Sequence, residues 1–210
     1  MKFPQISCKH LSILTLTVLS SVGFAADLNI AGIHNFHQVN ERLYRGAQPT
    51  DEGFKALAKL GVKTIVDLRM PGEHSTDGEA AAVKAAGMRY VNIPLQGVVA
   101  PSDASVARVL DLMTSDAAGP VFVHCKRGAD RTGMVIAVYR MAHDHWGNSQ
   151  ALHEAKSNGM RWTQIGLKHY INTYRAPELV AAESTKLPPS AAAQPAAAQP
   201  AAVQPDTVTQ

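Results

Sequence analysis

The segment VFVHCKRGADRTG, residues 121–133, gathers in one loop the residue types that could attack a phosphate ester. Cys125 follows an apolar, β-branched run, and Arg131 comes six residues later with Gly128 between them. A short loop that closes onto a helix N-terminus turns several backbone N–H groups inward and forms a nest for a phosphate-sized anion. The planar guanidinium of Arg131 can hold two oxygens at once. The loop is therefore a candidate anion site with a thiol at its base.

The same positive field favours the thiolate of Cys125, which is the nucleophilic form. Phosphate esters require in-line attack opposite the leaving oxygen while charge on the equatorial oxygens is neutralised. A thiolate below inward-facing amides meets that requirement, and the predicted intermediate is a phosphocysteine. The candidate phosphate-binding residues are Lys126, Arg127, Gly128, Ala129, Asp130 and Arg131.

Other interpretations of these residues are possible. Cys125 could be a small buried hydrophobe, His124 a satisfied strand histidine, and the Lys126 and Arg127 side chains could point to solvent. Lys126 and Arg127 could instead form a basic rim that favours multiply charged substrates. A metal site would need further cysteines or histidines at close spacing, and none flank the loop, so we expect no metal and no cofactor.

The first 25 residues have the order of a secretory signal peptide: two lysines, an apolar run, then small residues ending at Ala25. The apolar run is shorter than the roughly 20 residues of a membrane-spanning helix. We therefore expect cleavage after Ala25, export to the periplasm and no stable membrane insertion. Cys8 would leave with the signal, so Cys125 would be a lone thiol where disulfides form, which favours a chemical role.

The other end, residues 183–210, repeats an Ala/Gln/Pro unit as AAAQP, AAAQP and AAVQP. Regular prolines break helices, and alanine and glutamine cannot build a core, so we expect a disordered tail. Residues 26–182 are the length of one domain. Loss of two lysines with the signal would lower the formal charge from +3 to +1, which gives no electrostatic reason to expect a nucleic-acid partner. The oligomeric state is not predicted.

Between these ends, apolar patterns with strand and helix periods alternate along the chain. The predicted strands are ERLYRG, VKTIVDLR, MRYVNIPL and GPVFVH. Six helices are predicted: one that begins after Thr50, two in the segments EAAAVKAAG and ASVARVLDLM, and three over residues 132–146, 149–157 and 163–174. Such alternation predicts an α/β fold with a central, mostly parallel sheet flanked by helices. Ligands bind beyond the carboxyl ends of the strands in such sheets, and the loop at Cys125 lies there.

The string His-Cys-x5-Arg-Thr-Gly between an apolar strand and a helix resembles the signature of the cysteine-based protein tyrosine and dual-specificity phosphatases. LYRGAQP, VKTIVDLR and YVNIPL are similar to the compact bacterial and fungal branch of that superfamily, exported members included. The resemblance spans residues 42–174 and implies a dual-specificity-phosphatase-like fold. It also implies Cys125 as nucleophile, Arg131 as phosphoryl binder, His124 as a residue that tunes the thiol, and Thr132 as support for the departing thiolate.

The resemblance further implies an aspartate that protonates the leaving oxygen from the loop before the third helix. In QGVVAPSDAS the usual position is not acidic, and Asp103 comes later than expected. Asp103 could be this general acid or the N-cap of the next helix. Asp130 is the second candidate, although it could instead brace the loop, and Asp77 is the third.

These residues predict a phosphomonoesterase that acts on phosphotyrosine in proteins. A small, highly phosphorylated molecule such as an inositol phosphate is the alternative substrate, because Lys126, Arg127 and Arg131 crowd one loop. Two other classes stay open: a rhodanese-type sulfurtransferase, which the spacing to Arg131 disfavours, and a non-catalytic phosphate-binding module.

Overall fold

The computed structural model describes residues 30–176, so the predicted signal peptide and the predicted tail lie outside the described residues. The strands are β1 (His37–Gln38), β2 (Leu43–Gly46), β3 (Thr64–Asp67), β4 (Arg89–Asn92) and β5 (Val121–His124). The α-helices are α1 (Asp51–Lys59), α2 (Thr76–Ala85), α3 (Asp103–Thr114), α4 (Asp130–His143), α5 (Asn148–Ser157) and α6 (Ile165–Thr173). A short 3₁₀ turn, Asp116–Ala118, precedes β5.

These strands form one sheet in the order β1-β2-β5-β3-β4. The β1–β2 pair is antiparallel, and all other neighbours are parallel. The predicted α/β fold with a mostly parallel sheet is therefore confirmed. β5 lies between β2 and β3, and all residues of these three strands are buried. The residue that follows β5 thus emerges at the centre of the sheet's carboxyl edge.

Two apolar cores cover the two faces of the sheet. On one face, α1 and α2 contribute Phe54, Leu57 and Val83, which pack with Ile65 and Phe122. The larger core on the other face joins side chains of α3 to α6, and α4 lies at its centre with eleven buried residues. An apolar helix of this kind belongs inside the protein, as its composition predicts.

Side-chain caps determine where three helices begin. Thr50 accepts a hydrogen bond from Gly53 N at 3.2 Å, as predicted, and Ser75 caps α2 in the same way. The α3 cap is Ser102, whose Oγ accepts from Ser105 N. The alternative in which Asp103 is the N-cap is therefore wrong, because the serine one residue earlier satisfies the free amides and Asp103 is the first helical residue.

Most predicted elements are present with shifted ends. α2 begins at Thr76, inside the segment predicted as a loop, because the Ser75 cap starts it early. α4 spans Asp130–His143, so the prediction of 132–146 starts two residues late and ends three late. The strands are shorter than their apolar runs, and the two-residue β1 was not predicted. No helix within residues 30–176 has the length and apolar character needed to cross a bilayer.

Candidate active site

The loop of residues 125–129 joins the central strand β5 to the buried helix α4. Cys125 is 2% exposed and is not in a disulfide. Its loop opens into a cavity of about 320 Å³. The residues that line this cavity are Glu73, Gly97, Val98, Cys125, Lys126, Arg127, Asp130, Arg131, Arg161 and Gln164. The structure therefore places Cys125 at the base of a polar pocket on the carboxyl edge of the sheet, as expected.

Each backbone carbonyl of the loop has a partner outside it. The contacts are His124 Nδ1 to Cys125 O at 3.3 Å, Gln48 N to Lys126 O at 3.4 Å, Asn35 Nδ2 to Arg127 O at 3.3 Å, Arg45 Nη2 to Gly128 O at 2.7 Å and Gly133 N to Ala129 O at 3.0 Å. Within residues 30–176, the N–H groups of residues 126–129 donate to no other group. Because the carbonyls are held outward, these N–H groups are left for an anion inside the loop.

Gly128 allows the loop to pass against β2. Its φ is +68°, and a Cβ there would lie 2.3 to 2.5 Å from backbone atoms of Gly46 and Ala47. A side chain at this position would therefore meet both backbone strain and a steric clash. The neighbouring Arg45 is 1% exposed, and burial lowers its pKa to about 10, so it remains a cation near pH 7 behind the loop. Its bond to Gly128 O fixes the outer side of the turn.

Arg131 is 8% exposed, and its side chain pairs with Glu73. Its Nη1 and Nη2 donate to the two carboxylate oxygens of Glu73 at 2.7 and 2.8 Å. Nη1 also lies 3.3 Å from Leu95 O and 3.5 Å from Leu68 O. The hydrogen bonds from Arg131 hold the pKa of Glu73 below its usual range. Glu73, in the loop before α2, thus fixes the guanidinium at the pocket edge, and it was not among the predicted site residues.

His124 is fully buried and stacks on Phe122, with ring centroids 5.7 Å apart. Its Nδ1 contacts the carbonyl oxygen of Cys125, and its Nε2 lies 3.0 Å from Glu79 Oε1. Burial lowers the pKa of His124 to about 4, so the ring is neutral near pH 7. Its observed contact with Cys125 is through the backbone carbonyl, which orients the start of the loop.

Behind His124 lies a buried ion-pair network. Arg69 donates to both oxygens of Asp67 at 2.9 and 3.1 Å and also pairs with Glu79. Burial alone would raise the pKa of Asp67, but the bonds from Arg69 and the interaction with His124 bring it below its usual value. Asp67, Glu79 and His124 have ligand atoms close enough to hold a metal ion. Because Arg69 already neutralises both carboxylates, the set has the chemistry of an ion-pair network.

Asp130 braces the loop. Its Oδ1 accepts from Arg161 N at 3.0 Å, and its Oδ2 pairs with Arg127 at 2.6 Å and with Arg161 at 3.2 Å. Lys126 is exposed at the pocket wall. Thr132 is fully buried, and among the described residues its Oγ1 has no hydrogen-bond partner.

Asp103 is exposed and accepts a hydrogen bond from the Tyr170 hydroxyl at 2.7 Å. Burial, together with this bond, raises the pKa of Tyr170. Asp103 does not line the pocket, and neither does Asp77, which lies exposed in the first turn of α2. The structure therefore brings together the predicted loop residues but leaves these two acids outside the pocket.

Other residues that line the pocket or hold its loop were also missed, among them Arg45, Arg161 and Gln164. Arg45 lies in the LYRGAQP segment, and a charged residue within a predicted strand could have indicated a role in the site. Arg161 and Gln164 lie just before α6, and nothing local marks them. Gln164 is 3% exposed; in the amide orientation that suits its neighbours it donates to Gly97 O and accepts from Arg161.

Comparisons with known proteins agree with this geometry. A family model described as "DSP-PTPase phosphatase fused to NAD+ Kinase" matches residues 28–171. The chain is 33% identical over 126 residues to the dual specificity protein phosphatase TpbA of Pseudomonas aeruginosa strain UCBPP-PA14; the match covers 60% of this chain and 55% of that protein. An inositol diphosphatase of Arabidopsis thaliana, DSP3, is 28% identical over 138 residues, which cover 63% and 66% of the two chains.

A crystal structure of P. aeruginosa TpbA, as a cysteine-to-serine variant in complex with pTyr, is similar to this chain with a TM-score of 0.62. The two are 26% identical, and the match covers 79% of this chain and 98% of that one. The chain thus matches little more than half of the full-length TpbA sequence but nearly all of its crystallised domain.

Proposed function

Because the chain belongs to the family of DSP-PTPase phosphatases, we propose that residues 26–182 form a domain that hydrolyses phosphate monoesters through a phosphocysteine. One observation carries the proposal most directly. The loop at Cys125 has its carbonyls held outward, the N–H groups of residues 126–129 free of other partners within residues 30–176, and Arg131 fixed beside it. That is the arrangement that an in-line attack on a phosphoryl group needs.

In the first step, the Cys125 thiolate attacks phosphorus, the P–O ester bond breaks, and the leaving oxygen takes a proton from an acid. In the second step, water attacks phosphorus, the P–S bond breaks, and inorganic phosphate and the thiolate are released. The loop amides and Arg131 neutralise the equatorial oxygens in both steps. The Thr132 hydroxyl, which has no hydrogen-bond partner within residues 30–176, is proposed to stabilise the departing thiolate, and His124 to orient the loop.

Asp103 is our proposed proton donor, because residues 93–102 between β4 and α3 contain no carboxylate and Asp103, the first residue of α3, is the first one after β4. Lys126, Arg127, Gly128, Ala129 and Asp130 are proposed to form the rest of the phosphate-binding loop. Among these, Asp130 acts by bracing, since both of its oxygens are engaged by Arg127 and Arg161.

Phosphotyrosine in a protein is the proposed substrate, in line with a related structure that holds pTyr. A second candidate is an inositol phosphate. The specific observation in its favour is that Lys126, Arg127, Arg131 and Arg161 all line one pocket, and a relative is named an inositol diphosphatase. Cations on several sides of a pocket suit a multiply phosphorylated ligand.

Turnover of an aryl phosphate by wild type and by Cys125→Ser tests the chemistry. We expect the variant to lose turnover and to retain phosphate binding. Phosphate binding without turnover in the wild type would favour a binding module, and sulfur transfer from thiosulfate to cyanide without phosphatase activity would favour a sulfurtransferase. Phosphate release from phosphotyrosine peptides and inositol phosphates, measured side by side, then tests the substrate class.

Export to the periplasm is also proposed, on the basis of residues 1–25 alone. Mass spectrometry of protein purified after expression in a bacterium should give a mature chain that begins at Ala26. An intact N-terminus in the cytoplasmic fraction would contradict export. Partners are expected to be phosphorylated proteins or small molecules, and nucleic acid is not expected.

A further inference from the structure

Four large apolar side chains are strongly exposed to solvent. Among the described residues, the large hydrophobics that are strongly exposed are Val98 (63%), Val99 (51%), Trp162 (83%) and Ile165 (72%). Single exposed apolar residues need no explanation, but a set confined to one place does. These four lie in two segments, residues 98–99 and 162–165, and we name them the apolar collar.

The two segments of the collar are bonded to each other. Gly166 N donates to Val98 O at 3.1 Å, and a Cβ on Gly166 would lie 2.4 to 2.7 Å from the backbone of residues 98–100. Two residues before Gly166, the buried Gln164 joins Gly97 to Arg161. Since these contacts hold the start of α6 against the loop after β4, the collar is one continuous feature.

The collar borders the catalytic pocket. Val98 and Gln164 of the two segments, and the neighbouring Gly97 and Arg161, line the pocket together with Cys125. When the phosphoryl group of a substrate is bound at Cys125, the rest of the substrate would therefore lie against Val98 and extend between the collar residues. A ligand that fills this space must be anionic at its inner end and apolar further out.

Three of the cations near the collar are engaged by protein groups. Arg127 and Arg161 share Asp130, and the ammonium of Lys168 donates to the carbonyl oxygen of Trp162. An inositol polyphosphate carries phosphates on every side and would place several of them against apolar side chains. A membrane surface is usually held by clusters of about four to eight free cations or by a second anchor. Both ligands fit the collar less well than an extended polypeptide does.

We propose that the apolar collar binds the residues that flank a phosphotyrosine in a polypeptide substrate, and that it selects segments with apolar side chains near the phosphorylated residue. The proposal rests on the proposed phosphatase function. The tyrosyl ring lies between the phosphate and the peptide backbone, so it would pass Val98, and the flanking side chains would reach Trp162 and Ile165. Exposed tryptophan is a frequent anchor in protein recognition.

The test compares two phosphotyrosine peptides that differ only in whether their flanking residues are leucine and isoleucine or serine and glycine. Wild type should prefer the apolar peptide by about tenfold in kcat/KM, the effect of partly burying one or two apolar side chains. The double variant Trp162→Ser, Ile165→Ser should lose that preference through KM. It should hydrolyse p-nitrophenyl phosphate at the wild-type rate, because neither residue lines the pocket.

The matched control is Glu52→Ser, Lys59→Ser, two exposed positions of α1 on the opposite face of the sheet, which should keep the preference. Equal kcat/KM for both peptides in wild type, or an unchanged preference in the collar variant, would overturn the proposal. So would vesicle binding, measured with anionic phospholipid, that depends on the collar while peptide preference does not. Absence of p-nitrophenyl phosphate turnover in wild type would instead remove the phosphatase function itself.

Discussion

A single carboxylate, Glu73, orients the guanidinium of Arg131. The pair is bidentate, with N–O distances of 2.7 and 2.8 Å, and the arginine is largely buried. A guanidinium held at one edge keeps its remaining donors directed to one place, which is valuable where a phosphoryl group must be gripped in one geometry. Because Arg131 holds the pKa of Glu73 low, the pair is ionised near pH 7.

We expect Glu73→Gln to lower kcat by about tenfold, because a neutral amide holds the arginine less firmly in its productive position. The loss should be the same for aryl phosphates with good and poor leaving groups, since Glu73 is not the proton donor. Asp77→Asn, which removes an exposed carboxylate a few residues along the chain, is the control and should leave kcat unchanged.

A variant of the proton donor should instead lose more turnover on a poor leaving group than on a good one. Asp103→Asn should lower turnover by roughly 10²-fold on a poor leaving group and much less on an activated one, because only the poor leaving group needs a proton. Tyr170→Phe, which removes the hydroxyl bonded to Asp103, should lower turnover of the poor leaving group by less than Asp103→Asn does, because the carboxyl itself remains. Equal losses on both substrates, or none, would assign the proton to Asp130 or to water.

The loop between β5 and α4 depends on β2 as much as on its own residues. β2 pairs with β5 in parallel, and its Arg45 and Gly46 lie against the outside of the turn at Gly128. A strand and a loop that pack backbone to backbone leave no room for a side chain. The shape of the anion nest is therefore set jointly by two elements that are distant in the chain.

Gly128→Ala should destabilise the fold by about 3 kcal/mol and abolish turnover, since it combines a positive φ with a clash against Gly46 and Ala47. The control is Gly87→Ala. Gly87 has a φ of +78°, but no other group lies within 4 Å of the place that a Cβ would take, so only the backbone strain, about 1 kcal/mol, should appear. Chemical denaturation of both variants measures the difference; equal losses would show that the contact with β2 is unimportant.

The stability of the whole domain should depend on pH through the buried His124. The pKa of His124 is about 4 in the folded protein because burial lowers it, whereas an unfolded histidine titrates near pH 6.5. Between these values the unfolded chain binds a proton that the folded chain does not. Stability is therefore fully present above about pH 6.5 and is lost as the pH falls toward 4.

The expected loss is about 3 kcal/mol across that interval, measured as the free energy of unfolding in urea at a series of pH values. His124→Asn should flatten the slope, although the variant will be less stable at every pH. His153→Asn, at an exposed position of α5, is the control for replacement of a histidine by asparagine outside the core. A wild-type stability that is constant from pH 6.5 to 4 would contradict a neutral buried ring.

The sequence alone was enough to predict the class of fold and to single out the loop at Cys125 as the candidate site. Cys125, Gly128 and Arg131 are recognisable because the anion nest needs them at a fixed local spacing, and strand and helix periods are likewise local properties. The position of β5 follows from its β-branched residues. The exact ends of α2 and α4 do not follow, because caps and packing decide them.

Only the tertiary structure revealed which distant groups complete the site. Arg45 lies 83 residues from Gly128, Asn35 lies 92 from Arg127, and Glu73 lies 58 from Arg131. These contacts exist because the sheet order places β2 and β3 on either side of β5. The apolar collar has the same origin: its two segments meet only when α6 packs beside the loop after β4, a proximity that no window of the sequence encodes.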